Sequence, residues 1–281
     1  MSELLNKAKH LFSEAEIPSS HLDAEVLLAY VLGVDRSWLV AHGDEELGSE
    51  QVKKFESFVA RRLNREPIAY ITGRKEFYGR EFSVTPDVLI PRPETEDLVE
   101  LTMTRLRSQV SGLRSRILDV GCGSGCVGIT LKCELPELDV TLADISPAAL
   151  TIARQNARSL NATVNFASSN LLKKYVTAKI QNPKSKIYFD VIVANLPYVD
   201  HAWKRSPETD HEPALALFAE DNGLELIKRL IEQSRTVLTE NGLLLLEADP
   251  CQHGDIITYG KKYGFTHISS RNYALALQKI V

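Results

Sequence analysis

The sequence predicts an α/β protein: a mostly parallel sheet with helices on both faces, preceded by a small N-terminal helical domain. Three observations carry this. Residues 4–65 place apolar side chains at helical spacing, broken only by short turns. Beyond residue 116, short apolar runs alternate regularly with helical stretches. The first of those runs, Arg116-Ile117-Leu118-Asp119-Val120, breaks into a glycine-rich turn, Gly121-Cys122-Gly123-Ser124-Gly125. Such alternation builds a parallel sheet whose ligands sit at the carboxyl ends of its strands.

In the helical region, turns fall at 17–20, 33–35 and 42–44, Ser19 or Ser20 can cap the second helix, and Ser49 opens a later one. Lys53, Lys54, Arg61, Arg62 and Arg65 form a basic cluster on that later helix, read as a solvated face able to meet an acidic partner. Residues 68–88 alternate aromatic and polar types, which suggests a hairpin or extended linker. Pro91-Arg92-Pro93-Glu94-Thr95-Glu96 then stops the strand and starts a helix over 94–106, its first turn rich in carboxylates. Strand 116–120 and helix 126–134 follow, then strand 138–143 ending in Asp144 and helix 146–160. Next come strand 163–167, a lysine-rich solvated helix end and loop over 173–186, strand 188–194, helix 222–239 and strand 242–247. Segments 265–269 and 273–281 read as a terminal hairpin. No internal repeat is visible.

At 281 residues and 44% hydrophobic content the chain can bury a sizeable core. Its formal charge of −4 and pI near 6.0 do not advertise a broad nucleic-acid footprint. No apolar stretch approaches membrane-spanning length and the start Met1-Ser2-Glu3 lacks a signal sequence, so the expected location is cytoplasmic, with no membrane partner. Cys122, Cys126, Cys133 and Cys251 show no paired C-x-x-C spacing; metal or disulfide use is an open alternative, and small buried thiols in and after the glycine loop are the preferred reading. The seven histidines form no ligand spacing, and no metal is expected.

The chemistry is concentrated at Asn195-Leu196-Pro197-Tyr198, which ends the run Val191-Ile192-Val193-Ala194. An asparagine oxygen and the next backbone carbonyl, held by a proline and faced by an aromatic ring, can grip a planar NH2 group such as an amide or exocyclic amine. Taking up both hydrogens favours the geometry in which the nitrogen lone pair turns toward an electrophile. The bland alternative is a strand ending in a proline turn. The glycine loop suits close backbone approach to a ligand, and Asp144, one βα unit later, suits a ribose diol. Glycine spacing by itself also fits a dinucleotide, since Gly123, Gly125 and Gly128 satisfy G-x-G-x-x-G. Asp119, on the strand just before the turn, favours S-adenosylmethionine, because it resembles the acidic residue opening the cofactor loop of class I methyltransferases, which have a Rossmann-like sheet.

Further motifs run along nearly the whole chain: Arg61-Arg62, Glu66-Pro67, Tyr70-Ile71-Thr72-Gly73, Glu76-Phe77-Tyr78-Gly79 and Val88-Leu89-Ile90-Pro91-Arg92-Pro93-Glu94-Thr95-Glu96. Together they resemble the release factor glutamine methyltransferases, the HemK family. The resemblance implies S-adenosylmethionine-dependent methylation, releasing S-adenosyl-L-homocysteine, of the glutamine amide nitrogen in the Gly-Gly-Gln tripeptide of class I peptide chain release factors. It also implies a docking domain over 1–67, a linker over 68–90 and a catalytic domain over 91–281. By the same resemblance Asn195 and the Leu196 carbonyl would accept the target amide hydrogens, Pro197 would fix the turn and Tyr198 would pack on the glutamine. Asp119, Gly121, Gly123 and Gly125 match the cofactor loop, Asp144 the ribose contact and Asn170 the adenine contact. Arg92, Pro93 and Thr95 match a segment closing over the cofactor, and Glu212-Pro213 a substrate-side signature. A monomer is expected, without direct nucleic-acid binding.

Leu196 departs from the proline usual in Asn-Pro-Pro-Tyr, and Asn170 from the usual aspartate; a carbonyl and an amide oxygen can still serve. The tail, with Asp249-Pro250 and Arg271-Asn272, departs from the family pattern and is uninformative. Glu247 and Asp249 at a strand end face the crevice or merely cap the sheet. The other functional readings are a glutamine methyltransferase acting on a ribosomal protein, a DNA amino-methyltransferase, a dinucleotide-dependent oxidoreductase and a catalytically silent binding module. The acidic pI and the lack of a target-recognition insertion disfavour DNA.

Overall fold

The computed structural model describes residues 1–109, 115–182 and 188–280. Its chain divides into two units, Met1–Arg74 with Arg205–His211, and Lys75–Lys204 with Glu212–Val281. The first unit is helical: α1 (Ser2–Glu14), α2 (Ser20–Leu32), α3 (Arg36–Ala41), α4 (Ser49–Leu63) and α5 (Ile68–Thr72). Phe12, Leu27, Leu28 and Phe55 are wholly buried between the helices, as apolar stripes at helical spacing require.

Several expectations are corrected in this unit. Ser19 holds the N-cap position of α2, yet its side chain accepts no capping hydrogen bond. At α4 the cap is Gly48, whose N–H donates to the Gln51 side chain at 2.9 Å. The basic cluster is not one solvated face. Arg62 is 4% exposed and donates to Asp23 at 2.7 Å and Glu208 at 3.0 Å, Arg65 reaches the same Glu208, and Arg61 pairs with Glu66. Only Lys53 and Lys54 of the five are exposed. A guanidinium at that depth demands several carboxylate acceptors, because an unpaired buried charge is costly. The start of the expected hairpin or linker is also different, since Ile68–Thr72 is a helical turn that begins after Pro67 and ends at Gly73, with φ +75°. Ala69, Tyr70, Ile71 and Thr72 are all buried, a pattern that a two-residue period cannot describe.

In the second unit β1 (Arg74–Phe77) and β2 (Arg80–Ser83) form a hairpin whose Phe77 and Phe82 rings meet edge to face at 6.0 Å. A 3-10 turn, Pro93–Thr95, runs into α6 (Glu96–Gln109). There follow β3 (Arg116–Val120), α7 (Cys126–Glu134), β4 (Asp139–Asp144), α8 (Pro147–Ser159), β5 (Asn165–Ser168), α9 (Lys173–Gln181) and β6 (Phe189–Ala194). The chain closes with α10 (Glu225–Val237), β7 (Leu238–Glu247), α11 (His253–Lys262), β8 (Phe265–Arg271) and β9 (Ala274–Lys279). The seven-stranded sheet has the order β5-β4-β3-β6-β7-β9-β8, parallel through β7, with β9 and β8 antiparallel.

Consecutive strand residues bury on opposite faces. Ile117, Val191, Val193, Leu243 and Leu245 pack with α6, α7 and α8, while Leu118, Ile192, Leu244 and Leu246 pack with α10 and α11. Both faces are covered, which explains why these strands read as continuous apolar runs without alternation. α11 has no counterpart in the sequence reading, and β7 starts at Leu238, directly after α10, instead of at 242. Of the lysine-rich 173–186 segment, residues 183–186 lie outside the described residues, as does Val281 of the terminal hairpin. Among the described residues no helix is long and apolar enough to cross a membrane.

Candidate active site

Between β3 and β6 the strand order reverses, and there the loops after the two strands part to leave a crevice. It holds a cavity of about 450 Å³ whose walls include Asp119, Gly121, Gly123, Asp144, Asn170 and Asn195. The glycine turn wraps onto β4 because the N–H groups of Gly121 and Cys122 both donate to the Ala143 carbonyl, at 2.8 and 3.1 Å. Gly121 has φ +71°, and a Cβ there would stand 2.9 Å from the Leu196 side chain. The residue that departs from the family's proline is thus a buried apolar wedge that locks its loop against the glycine turn. Asp144 accepts from Gly123 N–H at 2.9 Å and from Ser146 N–H at 2.8 Å, which fixes its carboxylate at the cavity wall.

Asp119 is 2% exposed and accepts the Gly128 N–H at 2.9 Å. A Cβ on Gly128 would lie 2.3 Å from Leu142, so this third glycine serves the packing of α7 on the sheet. Burial, and after it the nearby Asp144 charge, raise the Asp119 carboxyl from its ordinary 3.8 to about 7, against the pull of that N–H. The folded chain therefore holds this proton more tightly than the unfolded chain. The resulting stability is complete below about pH 4 and is lost as pH rises through about 7. Asp119→Asn is expected to flatten the fall in Tm between about pH 5 and pH 8, removing on the order of 3 kcal/mol of pH-dependent stability. Thermal melts across that range check it; an unchanged slope refutes the burial effect.

Asn195 Nδ2 donates to Thr95 Oγ1 at 3.0 Å, and Asn195, Leu196 and Pro197 line the cavity. Tyr198 does not line it; its ring is partly buried against the core and its hydroxyl donates to Glu247 at 3.2 Å. Arg92 and Pro213 face the cavity, whereas Glu212 lies behind it, paired with Arg92 and accepting the Ile90 N–H at 3.1 Å. Pro93 is exposed at the first position of its 3-10 turn, and Gly125, at φ +81°, is the N-cap of α7; neither lines the cavity. Cys122 and Cys126 are buried free thiols, pushed by burial well above the usual range and to about 12 respectively, so neither is a ready nucleophile.

Two contributors, Gln252 and Gly223, escaped the sequence reading, and a third, Thr95, was expected there in a different role. Gln252 donates from one Nε2 to the carbonyls of Tyr198 and Asn222, at 3.0 and 2.9 Å, tying two loops together. Gly223 passes directly beneath Tyr198. Thr95, matched to a cofactor-closing segment, is 1% exposed and orients Asn195 from a hundred residues away. Nothing in the local pattern marks Gln252; Asn222-Gly223 alone carried a signal, as a turn dipeptide.

The cavity volume suits a nucleoside-sized ligand. Five acidic residues line it, Asp87, Asp119, Asp144, Glu220 and Glu225, against the two arginines Arg92 and Arg229, and this balance favours a ligand with a positive centre. Among the described residues no group of His, Cys, Asp or Glu could hold a metal ion.

Residues 3–73 match the PrmC N-terminal domain family, and residues 98–211 the methyltransferase small domain family. A bifunctional methyltransferase of Rickettsia felis is 38% identical over 281 residues, 88% of this chain, which spans only about half (51%) of that relative. The solved 16S rRNA N2 G1207 methyltransferase of T. thermophilus, in complex with AdoMet and guanosine, shares the fold with a TM-score of 0.52 at 16% identity, over 74% of this chain and 50% of its own. The release factor glutamine methyltransferase of Koribacter versatilis is 42% identical over 250 residues, covering 86% of this chain and 85% of the relative. With that identity sustained across most of both sequences, the chain belongs to the release factor glutamine methyltransferase family.

Proposed function

We propose that the protein methylates the side-chain amide nitrogen of the glutamine in the Gly-Gly-Gln tripeptide of class I peptide chain release factors, with S-adenosylmethionine as methyl donor. The observation that carries this reading is the orientation of Asn195: its Nδ2 is committed to Thr95, which leaves Oδ1 as the acceptor at the cavity wall. An amide NH2 brings two hydrogens and a delocalised lone pair, so the site it needs offers acceptors and no donor.

Asn195 Oδ1 and the Leu196 carbonyl take those two hydrogens. They hold the amide still and stabilise the positive charge that develops on its nitrogen. Pro197 restricts the backbone beyond Leu196, and the Leu196 side chain, wedged at Gly121, anchors it from the other side. Asp144 would hold the ribose diol, Asn170 the adenine amino group, and Asp119 with Gly121 and Gly123 the remainder of the cofactor; the volume, the positive φ angles of both glycines and the acidic lining fit it. When bound, it supplies a methyl already activated by a cationic sulfur. The proton released from the amide leaves through its acceptors to solvent. The N-terminal helical unit would dock the protein substrate.

Incubation with methyl-labelled cofactor and a class I release factor, followed by peptide mapping, tests this. One methyl on the tripeptide glutamine is expected. Label confined to a ribosomal protein or to DNA, or uptake of NAD in place of S-adenosylmethionine, overturns the reading.

A further inference from the structure

Glu247 is a buried acid that the mechanism above leaves unused. In the β6–β7 register Ala194 faces Leu246, so the next residues, Asn195 and Glu247, emerge side by side from the sheet. Glu247 is 1% exposed; its Oε1 accepts the Tyr198 hydroxyl at 3.2 Å, while no well-formed hydrogen bond reaches its buried Oε2. The Thr95 hydroxyl and the Asn195 amide both favour the charged form of the same carboxyl, as nearby donors do. A buried acceptor left unsatisfied among donors calls for a reason.

The polarity of the hydrogen bonds supplies one. Thr95 Oγ1 accepts from Asn195 Nδ2, so its own proton must point away from Asn195, and the acceptor facing it is Glu247. An ionised carboxylate can only accept. We propose that Glu247 is a positioning residue: as the acceptor-only end of the chain Asn195 Nδ2–H to Thr95 Oγ1–H to Glu247, it keeps the Asn195 amide turned with its oxygen toward the cavity. The catalytic consequence rests on the function proposed above; the orientation itself does not. Were the group at 247 able to donate to Thr95, the Thr95 proton would turn to Asn195, the amide would flip, and its NH2 would confront the NH2 of the substrate.

The same chain makes orientation respond to pH. Burial raises the Glu247 carboxyl from its ordinary 4.5 to about 7, opposed by Thr95, Tyr198 and Asn195 and assisted by the charge of Glu94. The other titratable groups facing this cluster are Cys126 on α7, and Tyr273, which acts on Tyr198. None of these brings a positive charge. Below about pH 7 Glu247 takes up a proton and gains the ability to donate, so the acceptor-only state, and with it the orientation of Asn195, is lost as pH falls.

The test uses the full chain labelled with 15N-asparagine, the Asn195 side-chain amide signal being the one that disappears in Asn195→Ala. It is expected to titrate with a midpoint near 7 in the wild type and to be silent in Glu247→Gln. In release-factor methylation, wild-type kcat should fall as pH drops through the same midpoint. Glu247→Gln should be slower by on the order of 10²-fold, the loss expected from misplacing a reacting group, without that acid limb and with cofactor affinity retained. Thr95→Val should lose kcat similarly, and Thr95→Ser, which keeps the hydroxyl, should recover most of it. An Asn195 signal indifferent to pH in the wild type, or a Thr95→Val variant with wild-type kcat, overturns the proposal, and neither result depends on how Glu247→Gln folds. Because the resonance is read without substrate, a protein that fails to methylate release factors still reports on the orientation of Asn195, and the two readings fail separately.

Discussion

Asn195→Ala is expected to lower kcat for glutamine methylation by on the order of 10³-fold while the cofactor still binds. Removing one preorganised partner of a developing charge costs about 10² to 10³ in rate. Alanine removes the only side-chain acceptor of the proposed amide grip, while the cavity keeps its glycine turn, Asp119, Asp144 and Asn170. Asn195→Asp should not rescue the rate. A second carboxylate beside Glu247, which is 1% exposed, would draw a proton into the pair, and a protonated acid donates where the substrate needs an acceptor. Single-turnover methylation gives the rate, and equilibrium binding of S-adenosylmethionine gives the control. A folded Asn195→Ala variant that methylates a release factor at the wild-type rate sinks the assignment.

Gly223→Ala is expected to damage stability and turnover together. Gly223 has φ +81°, and a Cβ there would stand 2.0 Å from the Tyr198 carbonyl oxygen and 2.7 Å from Gln252 Nε2. The oxygen belongs to backbone that Gln252 already clamps at 3.0 Å, so it cannot yield as a flexible side chain would. The strained backbone conformation alone costs about 1–3 kcal/mol, and the displaced carbonyl drags the Asn195-to-Tyr198 loop with it. Gly254→Ala is the control: it lies in α11, nothing stands within 4 Å of its added Cβ, and alanine in a helix is favoured over glycine by roughly 0.5–1 kcal/mol. Thermal melts and kcat on the two variants should separate cleanly, and a Gly223→Ala protein with wild-type Tm and kcat would refute the clamp.

Arg62 shows where reading the chain residue by residue fails. Its neighbours Lys53, Lys54 and Arg61 on α4 suggested a solvated basic face, yet Arg62 is buried with Asp23 and Glu208, the latter 146 residues away. Helical period separates faces of one helix but does not say what covers them. Ile68–Thr72 fails for a different reason: five residues flanked by Pro67 and Gly73 are too few for a period of 2 to be told from one of 3.6. α7, by contrast, was legible to the residue, since it starts on a positive-φ glycine and its apolar face is continuous.

Asp144 and Asn195 stood out in sequence because each ends an apolar run, and Asp119 because it sits on the strand just before the glycine turn, like the acidic residue of the class I methyltransferase cofactor loop; in a parallel sheet strand ends share an edge. That they line one cavity follows from the strand order, in which β3 lies between β4 and β6. Glu247 ends such a run too, after four leucines, but a strand end alone did not distinguish a residue behind Asn195 from one capping the sheet.

By itself the sequence determined the α/β alternation, the glycine turn, the acidic strand ends and the Asn-x-Pro-Tyr segment, because each depends on backbone conformation and periodicity within a few residues. Only the tertiary structure decided that Thr95 turns the Asn195 amide, that Gln252 and Gly223 hold the Tyr198 backbone, and that Leu196 rests on Gly121. Those are matters of register and packing between elements distant in the chain. A hydrogen bond or a close contact is settled within tenths of an ångström, a precision that no local pattern of residue types encodes.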